Sequence, residues 1–65
     1  MSYKIIRFFF EDDVPNRTIE TGLTLEEAQS HCQNPETSSS TCKGRVGIKR
    51  TEQFGKWFDG YEGVN

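Results

Sequence analysis

The stretch YKIIRFFF, residues 3–10, limits the fold more than any other part of the chain. Its β-branched and aromatic residues predict a strand. Alternation sends Ile6, Phe8 and Phe10 to one face, and Tyr3, Ile5 and Phe9 to the other together with Arg7. A strand apolar on both faces belongs in the middle of a sheet, or has its second face covered by another layer or subunit. The chain has little with which to meet that demand. It holds 65 residues, 32% hydrophobic and 28% charged, which is one domain spanning 1–65. A domain of this size buries only roughly 60% of the surface its unfolded chain exposes. Burial at about 25 cal/mol per Å², set against about 1.5 kcal/mol of ordering entropy per residue, leaves such chains near zero net stability. Five Phe, two Tyr and one Trp offset this, since each ring can bury about 150–250 Å². The composition is that of a folded module and not of a disordered tail.

The remaining elements follow from local chemistry. EDDVPN (11–16) is a turn: Pro15 cannot continue a ladder, and Asn16 tolerates a left-handed backbone. RTIET (17–21) reads as the return strand, ended by Gly22. Thr24 and Glu27 make a T-x-x-E capping box, and Leu25, Ala28 and Cys32 form one apolar stripe. A helix from Leu25 to about Gln33 results, with Asn34 suited to a left-handed C-terminal position and Pro35 barring continuation. Asn34 and Pro35 can also open one further helical turn. RVGIKR (45–50) and GKWFDGYE (55–62) alternate weakly and read as strands, with Phe58 directed to the core and Trp57, Asp59 and Tyr61 to the opposite face. The expected fold is α+β: an antiparallel sheet of three to four strands in the order β-β-α-β, a fourth strand optional, with one short helix packed on one face.

No run approaches the roughly 20 apolar residues of a membrane span, and no apolar segment followed by a small-residue cleavage site marks a signal peptide. The expected compartment is the cytoplasm, where two cysteines are thiols or metal ligands more often than a stable disulfide.

The densest chemistry lies in HCQNPETSSSTC, residues 31–42. His31 and Cys32 are helix neighbours whose side chains diverge by about 100°. The C-x9-C spacing does not match the paired ligand spacings of structural zinc, so no metal site and no cofactor are expected. Catalysis by a Cys–His pair needs the imidazole within reach of sulfur, and neighbours on one helix seldom achieve it. Cys32 and Cys42 are expected to lie near each other, as a disulfide or as two packed thiols. The Ser/Thr run reads as a polar turn whose hydroxyls bond local backbone, in preference to an anion cradle.

Lys43, Arg45, Lys49 and Arg50 place four basic residues within eight positions, whereas the net charge is −2. With Trp57 and Tyr61 they could grip and stack a nucleic acid, although a pI near 5.2 is far from the basic balance usual in such domains. Trp57, Tyr61 and Asp59 on a free sheet face would instead anchor a protein interface, in a homo-oligomer or with another partner.

GLTLEEAQSHCQNPETSSSTC together with WFDGYE resembles a family of very short, uncharacterised proteins encoded by phages of actinobacteria and by related prophages. The resemblance covers nearly the whole chain and is most specific in PETSSSTC and WFDGY. The loop EDDVPNR is longer and more acidic than the short basic turn of that family. The resemblance implies a phage-type origin and a host-cytoplasmic setting, and it brings no activity, cofactor or catalytic residue. The leading functional expectation is therefore a non-enzymatic module that docks on a host or phage protein through an aromatic sheet face. The alternative is a small nucleic-acid or nucleotide binder using residues 43–50. A thiol- or metal-dependent activity at Cys32 and Cys42 comes last.

Overall fold

The computed structural model describes residues 2–64. Three antiparallel strands, β1 (Ser2–Phe9), β2 (Arg17–Leu23) and β3 (Trp57–Val64), form one sheet in the order β2-β1-β3. The doubly apolar β1 is thus the central strand, as its composition demands. Between β2 and β3 the chain makes helix α1 (Leu25–Gln33), a 3-10 turn (Pro35–Thr37) and helix α2 (Arg45–Phe54). The fold is a small α+β domain.

Helix α1 begins as the capping box requires. The Glu27 N–H donates to Thr24 Oγ1 at 3.1 Å, and the Thr24 N–H donates to Glu27 Oε1 at 2.9 Å. Asn34 then ends α1 and caps the 3-10 turn, its side chain accepting the Glu36 N–H at 2.9 Å. It does so with an extended backbone (φ −71°, ψ 127°) and not in the expected left-handed state. Pro35 accounts for the difference, because the residue before a proline is pushed toward extended conformations. Asn16 is not left-handed either. Its Oδ1 accepts the Phe9 N–H across the hairpin loop at 3.1 Å.

Helix α2 corrects the strand expected at RVGIKR, and no fourth strand is found among the described residues. The alternation of Val46 and Ile48 with charged residues suggested a strand, yet both apolar side chains are exposed. The face that packs inward carries Gly47, Arg50, Thr51 and Phe54, spaced i, i+3, i+4, i+7; Phe54, edge-on to Phe9 at 5.6 Å, is the one apolar residue on it. Gly47 lets α2 approach closely: a Cβ there would stand 2.9 Å from Cys42 Sγ. Gly55 ends the helix at φ 83°, ψ −162°, a conformation open essentially to glycine alone.

Both helices lie on one side of the sheet. Trp57 Nε1 donates to Thr51 Oγ1 of α2 at 3.0 Å, and Gln29 of α1 reaches the Tyr61 hydroxyl at 3.4 Å. The buried apolar core is Ile5, Ala28 and Trp57. The serine run closes part of the β3 edge: the Ser39 N–H donates to the Trp57 carbonyl at 2.9 Å, and the Trp57 N–H to Ser39 Oγ at 3.1 Å. Thr37 and Thr41 hydroxyls donate to nearby backbone carbonyls, as a polar turn would.

Candidate functional site

On the helix-covered side, β1 and β3 pair Arg7 opposite Asp59. The Asp59 side chain is fully buried and its charge is met by a fork: Arg7 Nε donates to Oδ1 at 2.8 Å and Arg7 Nη2 to Oδ2 at 3.1 Å. His31, in the last turn of α1, brings Nε2 to 3.0 Å from Oδ2. A buried carboxylate carries a desolvation cost of several kcal/mol, and paired, hydrogen-bonded partners are what offset it. The cluster is also braced by aromatic surface. The guanidinium groups of Arg7 and Arg50 lie 5.0 and 4.6 Å from the Trp57 ring centroid, within cation–π range. Burial, and then the like charge of Arg7, lower the Arg50 pKa from its ordinary value.

Above this cluster opens a cleft of about 460 Å³, lined by Arg7, His31, Arg45, Arg50, Asp59 and the first turn of α2. Glu36 stands at its rim, with its two carboxylate oxygens accepting the Lys43 and Gly44 N–H groups at 2.8 and 2.7 Å. Those bonds hold the Glu36 pKa below the ordinary carboxylate value.

The basic residues expected to act together are divided by the helix. Lys43 precedes α2, Arg45 and Lys49 are exposed on it, and Arg50 turns inward onto Trp57. No disulfide joins Cys32 and Cys42. Both are free, partly buried thiols in different surroundings. Burial, then the charge of Asp59, raise the Cys32 pKa, while Cys42 packs beneath Gly47 and points its thiol at the Ser39 carbonyl. Among the described residues, no three His, Cys, Asp or Glu side chains gather as a metal-holding group.

The anchors expected for an exposed face need the largest correction. Trp57 and Asp59 are buried, at 1% and 6% exposure, and Tyr61 lies on the same helix-covered side, its ring edge-on to Tyr3 at 6.2 Å. The parity of β3 is the reverse of the expected one: Tyr61 is exposed as expected, at 42%, but on the helix-covered side, and Phe58 is exposed on the other. Arg7 decides this. It falls on the Tyr3–Ile5–Phe9 face of β1, and its register partner Asp59 must share that face, bringing Trp57 with it. A lone Arg in one apolar strand and a lone Asp in another were the signal that could have set the parity.

The helix-free side carries a different set of aromatics. Phe8 and Phe58 are cross-strand partners stacked at 5.1 Å, and Phe10 meets Phe58 edge-on at 5.8 Å. Phe58 is 41% and Phe10 62% exposed. The Phe8 ring covers Gly60, where a Cβ would come within 3.0 Å of it. Further along the same face, Lys4 and Glu62 form an exposed pair at 3.9 Å. No helix of the described chain is long and apolar enough to cross a membrane. In comparisons with known proteins, the chain matches no family model, no curated protein and no solved structure.

Proposed function

We propose that this chain is a small non-enzymatic interaction module that docks through the helix-free sheet face, with Phe8, Phe10 and Phe58 as anchors. The observation that carries the reading is the contiguous three-ring cluster, with Phe10 and Phe58 exposed, on a sheet face that no described element covers. Apolar patches of this kind mark association sites on soluble proteins, and large aromatics dominate interface energetics.

The first partner is a second copy of the chain. The Cα frame is a slab of 35 × 25 × 13 Å, and its broad face is large enough for the roughly 800 Å² per partner that stable association needs. The charge on that face permits a two-fold arrangement. Lys4 and Glu62 form a neutral pair there, so the two add no net charge to oppose a second copy of the same face. The resemblance to phage-encoded proteins supports a setting in bacterial cytoplasm, with a host or phage protein as the further partner. Nucleic-acid binding through residues 43–50 is the weaker reading, because Trp57 is too deeply buried to stack on a base.

Sedimentation velocity across a dilution series tests the proposal. The expected result is a concentration-dependent dimer that Phe58→Ser and Phe10→Ser convert to monomer while the circular dichroism of the fold persists. Association should survive high salt. A wild-type monomer at every concentration, or Phe58→Ser dimers of unchanged affinity, would overturn it.

A further inference from the structure

We infer that the cleft between α1, α2 and the sheet binds a small phosphate-bearing anion, gripped by Arg50 and Arg45 with His31 beside them. The inference is independent of the docking face, which lies on the other side of the sheet.

Charge accounting within the cleft supports it. Three arginines and one histidine line the site together with two acids, Asp59 and Glu36. Three positive charges less two negative ones leave a formal +1, in a chain whose net charge is −2. Both acids are already engaged. Asp59 holds Arg7 and His31 through its two oxygens, and Glu36 takes two backbone N–H groups. Among the described residues, neither Arg45 nor Arg50 has an acidic partner within salt-bridge distance.

Arg50 is also held in place. Its guanidinium lies over the Trp57 ring, which is fixed in turn by the Nε1–Thr51 hydrogen bond. Part of the entropy that an arginine loses on gripping a ligand has therefore been lost already. Among the described residues its planar fork of donors has no hydrogen-bond partner, and bidentate recognition of phosphate is what that geometry suits. Nor does the start of α2 define the site, since Glu36 already occupies the donors just before it.

Size and aromatic burial narrow the ligand. About 460 Å³ falls toward the lower end of small-molecule sites, which span about 300–1,000 Å³. Trp57, at 1% exposure, offers no platform for a base. The group recognised is thus the phosphate of a small phosphomonoester, not a nucleobase and not a polynucleotide backbone.

Trp57 is the sole tryptophan and touches Arg50, so its fluorescence can report occupancy. Inorganic phosphate and glycerol phosphate are titrated at constant ionic strength set with chloride, and binding is read independently by 31P line broadening. The expected result is a saturable response in both, weakened at least tenfold by Arg50→Gln and several-fold by Arg45→Gln; the Arg45→Gln melting midpoint should stay near wild type, and the Arg50→Gln midpoint, lowered by the lost Trp57 contact, should stay above the titration temperature. Lys49→Gln, an exposed residue outside the cleft lining, should bind as wild type does. No saturable response, or equal loss from Lys49→Gln and Arg50→Gln, would overturn the site as diffuse surface charge. Tighter binding of a single-stranded oligonucleotide than of either phosphate would overturn the ligand class.

Discussion

Asp59→Asn is the substitution that tests the interior most directly. The side chain changes by one atom type and keeps its volume, so any effect reports the charge and the hydrogen bonds that its oxygens accept. In the wild type, Asp59 is fully buried at the side chain and Arg7 retains 15% exposure there. Removing one partner of a buried pair costs about 3–5 kcal/mol, most of it from the charge left behind. The lower end applies here, because water reaches the Arg7 edge and an amide oxygen can still accept one of its bonds. The expected loss is therefore about 3 kcal/mol, against a total stability of about 3–10 kcal/mol for a domain of this length. At about 4–8 °C per kcal/mol, the melting temperature should fall by roughly 12–24 °C. Urea titration followed by Trp57 fluorescence, with thermal circular dichroism beside it, measures both quantities. Arg7→Met should be similarly harmful, since it leaves the carboxylate with His31 alone. The double variant should lose less than the sum of the two, by about 0.5–3 kcal/mol, because each single change strands the other's partner. An Asp59→Asn protein within about 1 kcal/mol of wild type, or strict additivity in the double variant, would refute the reasoning.

Three further outcomes are expected. Thr24→Ala should cost about 1 kcal/mol in a denaturant melt and Thr24→Ser almost nothing, because the hydroxyl holds the Glu27 N–H. Gly47→Ala should destabilise in the same assay although Ala favours helices by about 1 kcal/mol. The added methyl meets Cys42 Sγ at 2.9 Å, and Cys42→Ala should restore part of the loss. The backbone bonds from Lys43 and Gly44 lower the Glu36 pKa from 4.5. Its stabilising contribution is thus present above the unfolded value and lost as pH falls through the folded one, and Glu36→Gln should flatten that acid limb in urea midpoints measured from neutral pH downward.

What could be read in the residues depended on whether an element's signal was local. The α1 cap, the Asn34–Pro35 turn and the central place of β1 rest on short-range chemistry or on composition, and each is visible before any tertiary contact is known. Helix α2 is not, because its inward face offers a glycine, an arginine aliphatic stem and a threonine before its single apolar residue, Phe54, and one apolar position makes no hydrophobic periodicity. The side of β3 that turns inward was hidden for another reason. Trp57 and Phe58 are both large aromatics, so the strand looks equally buried in either parity. Only the long-range match of Arg7 to Asp59, 52 positions apart, breaks the tie. The candidate site was correspondingly half visible. His31, Arg45, Arg50 and Asp59 each drew attention, but their convergence needed the register of β1 on β3.

The β2-β1-β3 order also sets a schedule for the chain as it is made. The strand at the centre of the sheet is synthesised first, and β3, one of its two neighbours, is synthesised last. At about 5–20 residues per second, the nearly fifty residues between them take several seconds. During that interval β1 has at most the β2 hairpin, and an isolated hairpin is marginal in water. Its bare edge then resembles the short apolar segments that nucleate aggregates. Arg7 interrupts that segment with a charge, as gatekeeper residues do. The same guanidinium that later locks Asp59 into the finished sheet would thus protect the nascent strand until Asp59 has left the ribosome.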